Sequence, residues 1–165
     1  MKTVTVLLTR YSDLFGKVIC TISKYSYSHA SISVDDEEEI FYSFNYKGFV
    51  IEKPKKHRPK CRLDGSICIR MQVPEETYGK ICQEISRFME QKERYSYSQI
   101  GVLLCLLHIP FHFENRYFCS QFVAEVLSKS GAVKLKKKES LYLPGQLVDG
   151  MECLFSQKQI VYNAI

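Results

Sequence analysis

The sequence predicts an α+β fold in which a small antiparallel sheet packs against helices. Six short segments are rich in β-formers or alternate apolar and polar residues, as strands do, and four segments have helical spacing. The two kinds are mixed along the chain, and short connections between successive strands favour antiparallel pairing. With 165 residues, 45% of them hydrophobic, the chain can bury one substantial core, so we expect one domain over residues 1–165.

The predicted strands are short, and two of them form a hairpin. The acidic stretch 35–39 lies between the second and third strands as a turn, which places His29 near the beginning of the hairpin. The last segment is predicted as an edge strand. The predicted strands span residues 4–8, 28–34, 40–46, 49–52, 66–73 and 159–162.

Four segments have the spacing of helices, and the first covers 14–23. Pro74 begins the second, whose buried face is marked by Ile81, Ile85, Phe88 and Met89. The third, from about 99 to 107, lies in an apolar run of ten residues that is half the length of a membrane span, so we predict a buried helix. The fourth runs from Cys119 to Lys129 and stops before Gly131.

Composition favours a reducing, cytoplasmic location. The N-terminus shows neither a full apolar signal-peptide core nor a small-residue cleavage site, and it is predicted as a first strand. Seven cysteines, an odd number without paired spacing, argue against a disulfide framework. We therefore expect a cytoplasmic protein with no stable membrane insertion and no cofactor.

Neither the histidines nor the basic runs give a strong signal for a metal or for nucleic acid. The spacing of His57, Cys61 and Cys68 matches no common zinc pattern, and Pro110 interrupts the helical geometry that His108 and His112 would need. The net charge of +5 is concentrated in residues 53–62 and 134–138. Because no aromatic residues are interleaved in these runs, we expect solvated loops and no nucleic-acid partner.

Cys119 stands at the start of an amphipathic helix, where free N–H groups and a partial positive charge favour a thiolate. A nucleophile also needs a base, and His29 is the best candidate because it begins a strand beside small or polar residues. The alternatives are a buried structural cysteine and a structural histidine. Together the two residues predict a nucleophile and its base.

The segments 27–32 and 117–123, which read YSHASI and YFCSQFV, resemble a known superfamily. They are similar to the circularly permuted branch of the NlpC-type, papain-like cysteine peptidases, which contains YiiX-like and lecithin retinol acyltransferase-like proteins. The order is the mark of the permutation, because the histidine strand precedes the cysteine helix. The similarity also takes in 42–44, 48–50, 97–101 and 143–145, and so covers most of the chain.

The resemblance implies that Cys119 faces His29 and that a third polar residue on the next strand orients the ring. That position falls at Ser43, where related proteins carry an acidic, amide or histidine side chain, so this chain departs from the pattern. A serine would orient the imidazole only weakly. Glu52, Asn45 and Glu39 are the substitutes, and the alternative for all four is an exposed polar residue at a sheet edge.

The expected activity is that of a cysteine hydrolase, a peptidase or amidase that acts on peptide or other amide bonds. Cys119 attacks the carbonyl, His29 moves the proton, and the backbone N–H groups of Cys119 and Ser120 stabilise the oxyanion.

Two other functions stay open. An acyltransferase or thioesterase acting on lipid-like substrates would show an apolar groove beside Cys119, lined by Val102, Leu103 and Leu106. A non-catalytic binding domain of the same fold is the third possibility, which the weak Ser43 position and the basic surface suggest.

Overall fold

A computed structural model describes residues 1–11, 14–56 and 61–162 of the chain. Helices and strands alternate irregularly along these residues, as the sequence predicts. The strands are β1 (Lys2–Tyr11), β2 (His29–Ser33), β3 (Phe41–Asn45), β4 (Gly48–Glu52), β5 (Cys61–Val73), β6 (Ser96–Tyr97), β7 (Arg116–Tyr117), β8 (Val133–Leu135), β9 (Met151–Cys153) and β10 (Gln159–Tyr162). The α-helices are α1 (Leu14–Ser23), α2 (Glu75–Glu90), α3 (Gln99–Leu106), α4 (Cys119–Lys129) and α5 (Leu147–Gly150).

The main sheet has six strands in the order β10-β5-β1-β2-β3-β4, and all of its pairs are antiparallel. Strand β1 lies in the middle and pairs with both β2 and β5, while β10 forms one edge, as the sequence predicts. The predicted α+β fold, with an antiparallel sheet packed against helices, is therefore confirmed. Two small pairs lie outside this sheet: β6 with β7, which is parallel, and β8 with β9.

The core lies between one face of the sheet and helices α2 and α4. Side chains from alternate positions of β1, β2 and β5 point into it, as a sheet with one packed face requires. An aromatic cluster fills its centre, formed by Phe44, Phe49, Phe88, Tyr95, Tyr117 and Phe122. Helix α2 buries Ile81, Ile85 and Phe88 as predicted, but Met89 is 40% exposed, so its assignment to the buried face was wrong.

The β3–β4 hairpin is fixed by its turn. The side-chain Oδ1 of Asn45 accepts a hydrogen bond from the N–H of Lys47 at 2.8 Å. Gly48 has a φ of +96°, and a Cβ there would lie 2.6 Å from the carbonyl oxygen of Tyr95, so the position requires glycine. This turn sets the course of β4, which ends at Glu52.

Helix α3 begins where the sequence predicts but is not buried as predicted. Ser98 caps it by accepting a hydrogen bond from the N–H of Gly101 at 3.0 Å. Val102 and Cys105 are buried in a small cluster with Ile19 of α1, whereas Leu103 is 55% exposed. Across the described ranges, we find no helix with the length and apolar character needed to cross a bilayer.

Candidate active site

Cys119 is the first residue of α4. The chain reaches it through β7, which pairs with β6. The preceding Phe118 has extended dihedrals and no polar side chain that could cap the helix. Ser120 anchors the helix start, because its hydroxyl donates to the carbonyl oxygen of Tyr142 at 2.7 Å. Cys119 is only 4% exposed, so the thiol lies just beneath the surface.

His29 is the first residue of β2 and pairs with Thr9 of β1. The preceding residue ties the head of the strand to β1: the N–H of Ser28 donates to the carbonyl oxygen of Thr9 at 3.0 Å, and its hydroxyl accepts from the N–H of Tyr11 at 2.9 Å. The ring of Tyr11 packs on the imidazole, with ring centroids 4.7 Å apart. These contacts hold the histidine ring at one place on the scaffold.

Glu52 holds one side of the imidazole and Cys119 lies at another. The Nε2 atom of His29 is 2.9 Å from Oε1 and 3.0 Å from Oε2 of Glu52, which comes from the end of β4. The thiol of Cys119 lies close enough to the ring to raise its pKa. Because Glu52 occupies Nε2, Nδ1 is the nitrogen left for the thiol. The structure therefore brings the predicted nucleophile and base together in one triad of side chains.

The pKa of His29 is raised well above its ordinary value of 6.5. Burial is the largest single influence and by itself lowers the pKa, since it disfavours the charged ring. The charge of Glu52, the hydrogen bonds with Cys119 and Glu52 and the charge of Cys119 together outweigh it. The site therefore stabilises an imidazolium between a carboxylate and a sulfur atom.

The predicted third residue, Ser43, is hydrogen-bonded to the backbone and not to the histidine ring. It is fully buried, and its hydroxyl donates to the carbonyl oxygen of Ala30 at 2.6 Å. Asn45 is engaged in the hairpin turn, and Glu39 is exposed. The substitute Glu52 is the residue that contacts the ring, so the structure puts a charged partner where the sequence pattern pointed to a weak neutral one.

The start of α4 carries the two backbone N–H groups for which the sequence predicts an oxyanion role. The first N–H that closes a helical hydrogen bond onto Phe118 belongs to Phe122. The N–H groups of Cys119 and Ser120 therefore have no partner inside the helix, as at every helix start. They lie beside the sulfur, where a carbonyl oxygen under attack would carry negative charge.

The other cysteines and histidines that the structure describes have different surroundings from those of Cys119 and His29. Burial raises the pKa of the Cys68 thiol to about 11 and that of Cys105 to about 12, which keeps both protonated. His112 is bonded to Gln121, with 2.5 Å between Nδ1 and the amide nitrogen. His57 lies outside the described residues. No group of three His, Cys, Asp or Glu side chains in the described part of the chain is arranged to hold a metal ion.

A small pocket of about 210 Å³ lies at the start of α3, next to the β3–β4 turn. All of its lining residues except Ile100 carry polar groups: Tyr46, Tyr97, Ser98, Gln99, Ile100 and Arg116. The three side chains that would line an apolar groove beside Cys119 differ in exposure. Val102 is buried and Leu106 half-buried in the cluster beside Phe118, while Leu103 points to the surface. A polar pocket and an apolar helix thus lie close to the segment that leads into Cys119.

Sequence reasoning missed Tyr11 and ranked Glu52 only as a substitute. Tyr11 lies three residues beyond the first predicted strand, residues 4–8, and its contact with His29 depends on the register between β1 and β2. Glu52 lies two strands away from β2 in the sheet order, and it pairs with Phe41. No spacing in the sequence predicts that its carboxylate reaches the ring.

Comparison with known proteins gives a fold. No protein-family model matches the chain. No curated protein matches it. Among solved structures, it is similar to the metalloprotein YiiX from Escherichia coli O157:H7, with a TM-score of 0.63 and 15% sequence identity, over 97% of this chain and 96% of that one. The chain therefore has a YiiX-like α+β fold.

Proposed function

We propose that this protein is a cysteine hydrolase that cleaves amide or ester bonds through a triad of Cys119, His29 and Glu52. The observation that carries the proposal is the position of the His29 ring, which Glu52 holds through Nε2 and whose pKa the nearby Cys119 helps to raise. A buried structural cysteine would need neither the base nor the carboxylate. The resemblance to permuted NlpC-type peptidases in the two segments that carry Cys119 and His29 supports the same function.

Glu52 gives the imidazole the tautomer that the reaction needs. In the neutral ring, Nε2–H donates to the carboxylate, so Nδ1 presents its lone pair to the thiol of Cys119. The proton moves from Sγ to Nδ1, and Glu52 then stabilises the imidazolium. This is a stronger arrangement than the neutral hydrogen bond that Ser43 would offer.

The proposed reaction proceeds through a thioester. The sulfur of Cys119 forms a bond to the substrate carbonyl carbon, and the N–H groups of Cys119 and Ser120 bind the oxyanion. The imidazolium of His29 donates its proton to the leaving amine or alkoxide as the scissile bond breaks. Water, deprotonated by His29, then attacks the thioester, releases the acid and restores the thiol.

The mechanism uses only side chains and backbone groups of this chain. The YiiX structure is described as that of a metalloprotein. Here, Glu52 is hydrogen-bonded to Nε2 of His29 and Cys119 lies near the ring, and among the described residues no other His, Cys, Asp or Glu side chain joins them as a ligand set. The triad fits proton transfer better than metal ligation, and we derive no step through a metal.

Acyl transfer from lipid-like substrates is the second candidate, and helix α3 favours it. The helix packs against Phe118, next to Cys119, and exposes Leu103 at its outer side. The polar pocket at the start of the same helix favours a peptide or another amide. The two candidates share the thioester and differ in the acceptor that resolves it.

A small alkylating probe tests the nucleophile. The full chain is treated with iodoacetamide near neutral pH, and the modified cysteine is located by peptide mass spectrometry. We expect Cys119 to be labelled first and Cys119→Ala to lose this labelling. The matched control is Cys82→Ala, which removes a half-buried thiol whose pKa is raised by burial and should leave the rate unchanged. Equally fast labelling of Cys119→Ala at another cysteine would refute the proposal.

An activated ester then distinguishes hydrolysis from transfer. We expect the chain to gain the mass of the acyl group at Cys119 and to release it to water. Faster release to an added amine or alcohol than to water would favour the acyltransferase. Absence of an acylated Cys119 with both short-chain and long-chain esters would argue for a non-catalytic domain.

A further inference from the structure

Helix α3 and the segment after it expose an unusual amount of apolar side chain. From Ile100 to Phe113 no residue carries a fixed charge. On α3, Ile100, Leu103 and Leu107 at its C-terminal cap are 52%, 55% and 61% exposed. Ile109 and Phe111 continue the exposed stretch. Single exposed apolar residues are ordinary, whereas five within twelve residues form a patch, and patches of this kind mark binding surfaces.

Helix α1 enlarges this patch. Ile19 on its inner side belongs to the same buried cluster as Val102 and Cys105, so α1 lies beside α3. Leu14, Val18 and Ile22 recur every four residues on its outer side and are exposed. We name the whole set the α1–α3 surface; its members are Leu14, Val18, Ile22, Ile100, Leu103, Leu107, Ile109 and Phe111.

A run of lysines borders the α1–α3 surface. Lys134, Lys136, Lys137 and Lys138 are exposed, and the 3₁₀ turn Glu139–Leu141 that follows them packs against α3. Burial raises the pKa of Cys105 on α3, and the charge of Lys137 partly offsets that effect, which places this lysine close to the helix.

The lysine run is held in place by the fold. The phenol oxygen of Tyr142 accepts hydrogen bonds from the backbone N–H groups of Lys136 and Lys137, at 2.9 and 3.0 Å. The same hydroxyl donates to the carbonyl oxygen of Gly150. Because the bonds involve the backbone, the ammonium groups are free to face a partner while their positions along the chain are fixed.

We propose that the α1–α3 surface binds reversibly to anionic lipid bilayers. The outer sides of the two helices present apolar side chains, and α3 carries no charged residue. Lysines lie at the border of this surface. Apolar side chains bordered by lysines are the pattern of an interfacial membrane site. In a dimer formed through this surface, the bordering lysines of both copies would lie at one interface, so like charges oppose self-association. Anionic headgroups complement them, at about fivefold in affinity for each lysine near the surface.

Vesicle binding tests the proposal with the full chain. Sucrose-loaded vesicles of equal parts phosphatidylcholine and phosphatidylglycerol are sedimented with the protein, in parallel with pure phosphatidylcholine vesicles. We expect sedimentation with the anionic vesicles, weaker binding to the neutral ones, and release at high salt. Equal binding to both, or none to either, overturns the proposal.

Two double variants assign the binding to this surface. Leu103→Ser with Leu107→Ser removes apolar side chains, and Lys136→Glu with Lys138→Glu reverses charge while leaving the backbone bonds to Tyr142 intact. Each should weaken binding at least tenfold. The controls are Met89→Ser and Lys92→Glu, which lie on or just after α2 and should bind as the unaltered chain does.

Circular dichroism checks that the variants keep their fold. Unchanged binding by either double variant overturns the assignment. Analytical ultracentrifugation of the unaltered chain covers the alternative occupant: a dimer that Leu103→Ser with Leu107→Ser dissociates would mean that a second copy, not a bilayer, covers this surface.

Discussion

The burial of helices α3 and α4 is the opposite of what their sequences predict. Helix α4 is amphipathic in sequence, yet all of its residues from Cys119 to Leu127 are buried. Helix α3 is apolar on every side, yet its outer face is exposed. A helix's own hydrophobicity therefore does not decide its burial here. What decides it is the position in the fold, since α4 lies between the sheet and other elements while α3 covers one end of the core.

The buried polar residues of α4 are tolerated because each has a partner. The carboxylate of Glu125 accepts hydrogen bonds from the hydroxyl of Tyr117 at 3.3 Å and from the ammonium of Lys129 at 2.5 Å. Burial raises the pKa of Tyr117, and the charge of Glu125 raises it further, so the phenol stays a donor. Gln121 bonds to His112. Because its neighbours hold α4 on all sides, the helix keeps Cys119 in a fixed position.

The largest effect we predict is on the free energy of unfolding when α4 loses a core side chain. Phe122→Ala removes a fully buried ring that contacts Phe44, Phe49 and Phe88. We expect a loss of about 3–5 kcal/mol, because the cavity cannot collapse between a sheet and two helices. Chemical denaturation followed by circular dichroism measures it. A loss below about 1 kcal/mol would mean that α4 is not the centre of the core.

The sequence predicts the positions of these elements well and their burial less well. Period-two and helical spacing locate β1, the β2–β3 hairpin, α2 and α4, because these patterns follow from backbone geometry alone. The positive φ of Gly131, 76°, marks the end of α4 where a glycine stop was expected. The exposure of Leu103 depends on which elements cover α3, and that is a property of the tertiary arrangement.

A smaller effect is predicted at the site, where Glu52→Gln removes the charge beside His29. The pKa of His29 should fall, since the charge of Glu52 is the largest influence that raises it. Partners that orient a histidine ring typically contribute about tenfold to a hundredfold to function, so we expect the alkylation rate of Cys119 to fall by that factor. The control is Glu84→Gln, which alters a surface pair with Arg87.

The same substitution changes how stability depends on pH. The pKa of His29 in the folded chain lies above 6.5, so its protonated ring stabilises the fold fully below pH 6.5, and this contribution is lost as the pH rises through the folded-state value. In Glu52→Gln this loss should be smaller and occur at lower pH. NMR titration of the His29 ring protons gives the two pKa values directly. An unchanged value would contradict the role we assign to Glu52.

The candidate site was only partly predictable from the sequence. Cys119 and His29 could be recognised, because a cysteine at a helix start and a histidine at a strand start are local features. Ser43 was the expected third residue because the resemblance implies a polar side chain on the strand after the histidine strand, and in the structure its hydroxyl donates to the carbonyl oxygen of Ala30 instead. The contact of Glu52 with His29 joins strands that are not neighbours in the sheet, and such contacts follow from three-dimensional shape rather than from spacing.

The smallest effect we predict is on stability at the outer side of α3. Leu103→Gln replaces a side chain that is 55% exposed, and a substitution away from caps, cavities and ion pairs usually changes the free energy of unfolding by less than about 0.5 kcal/mol. Val102→Ala, one residue earlier in the buried cluster, is the matched control and should cost more, about 1–2 kcal/mol. Both are measured by chemical denaturation. A loss above about 1 kcal/mol for Leu103→Gln would mean that this side chain is covered within the folded chain, and the contrast between α3 and α4 would then disappear. If the small loss is observed, the exposure of Leu103 is maintained without a contribution to folding, as expected for a side chain whose role is in binding.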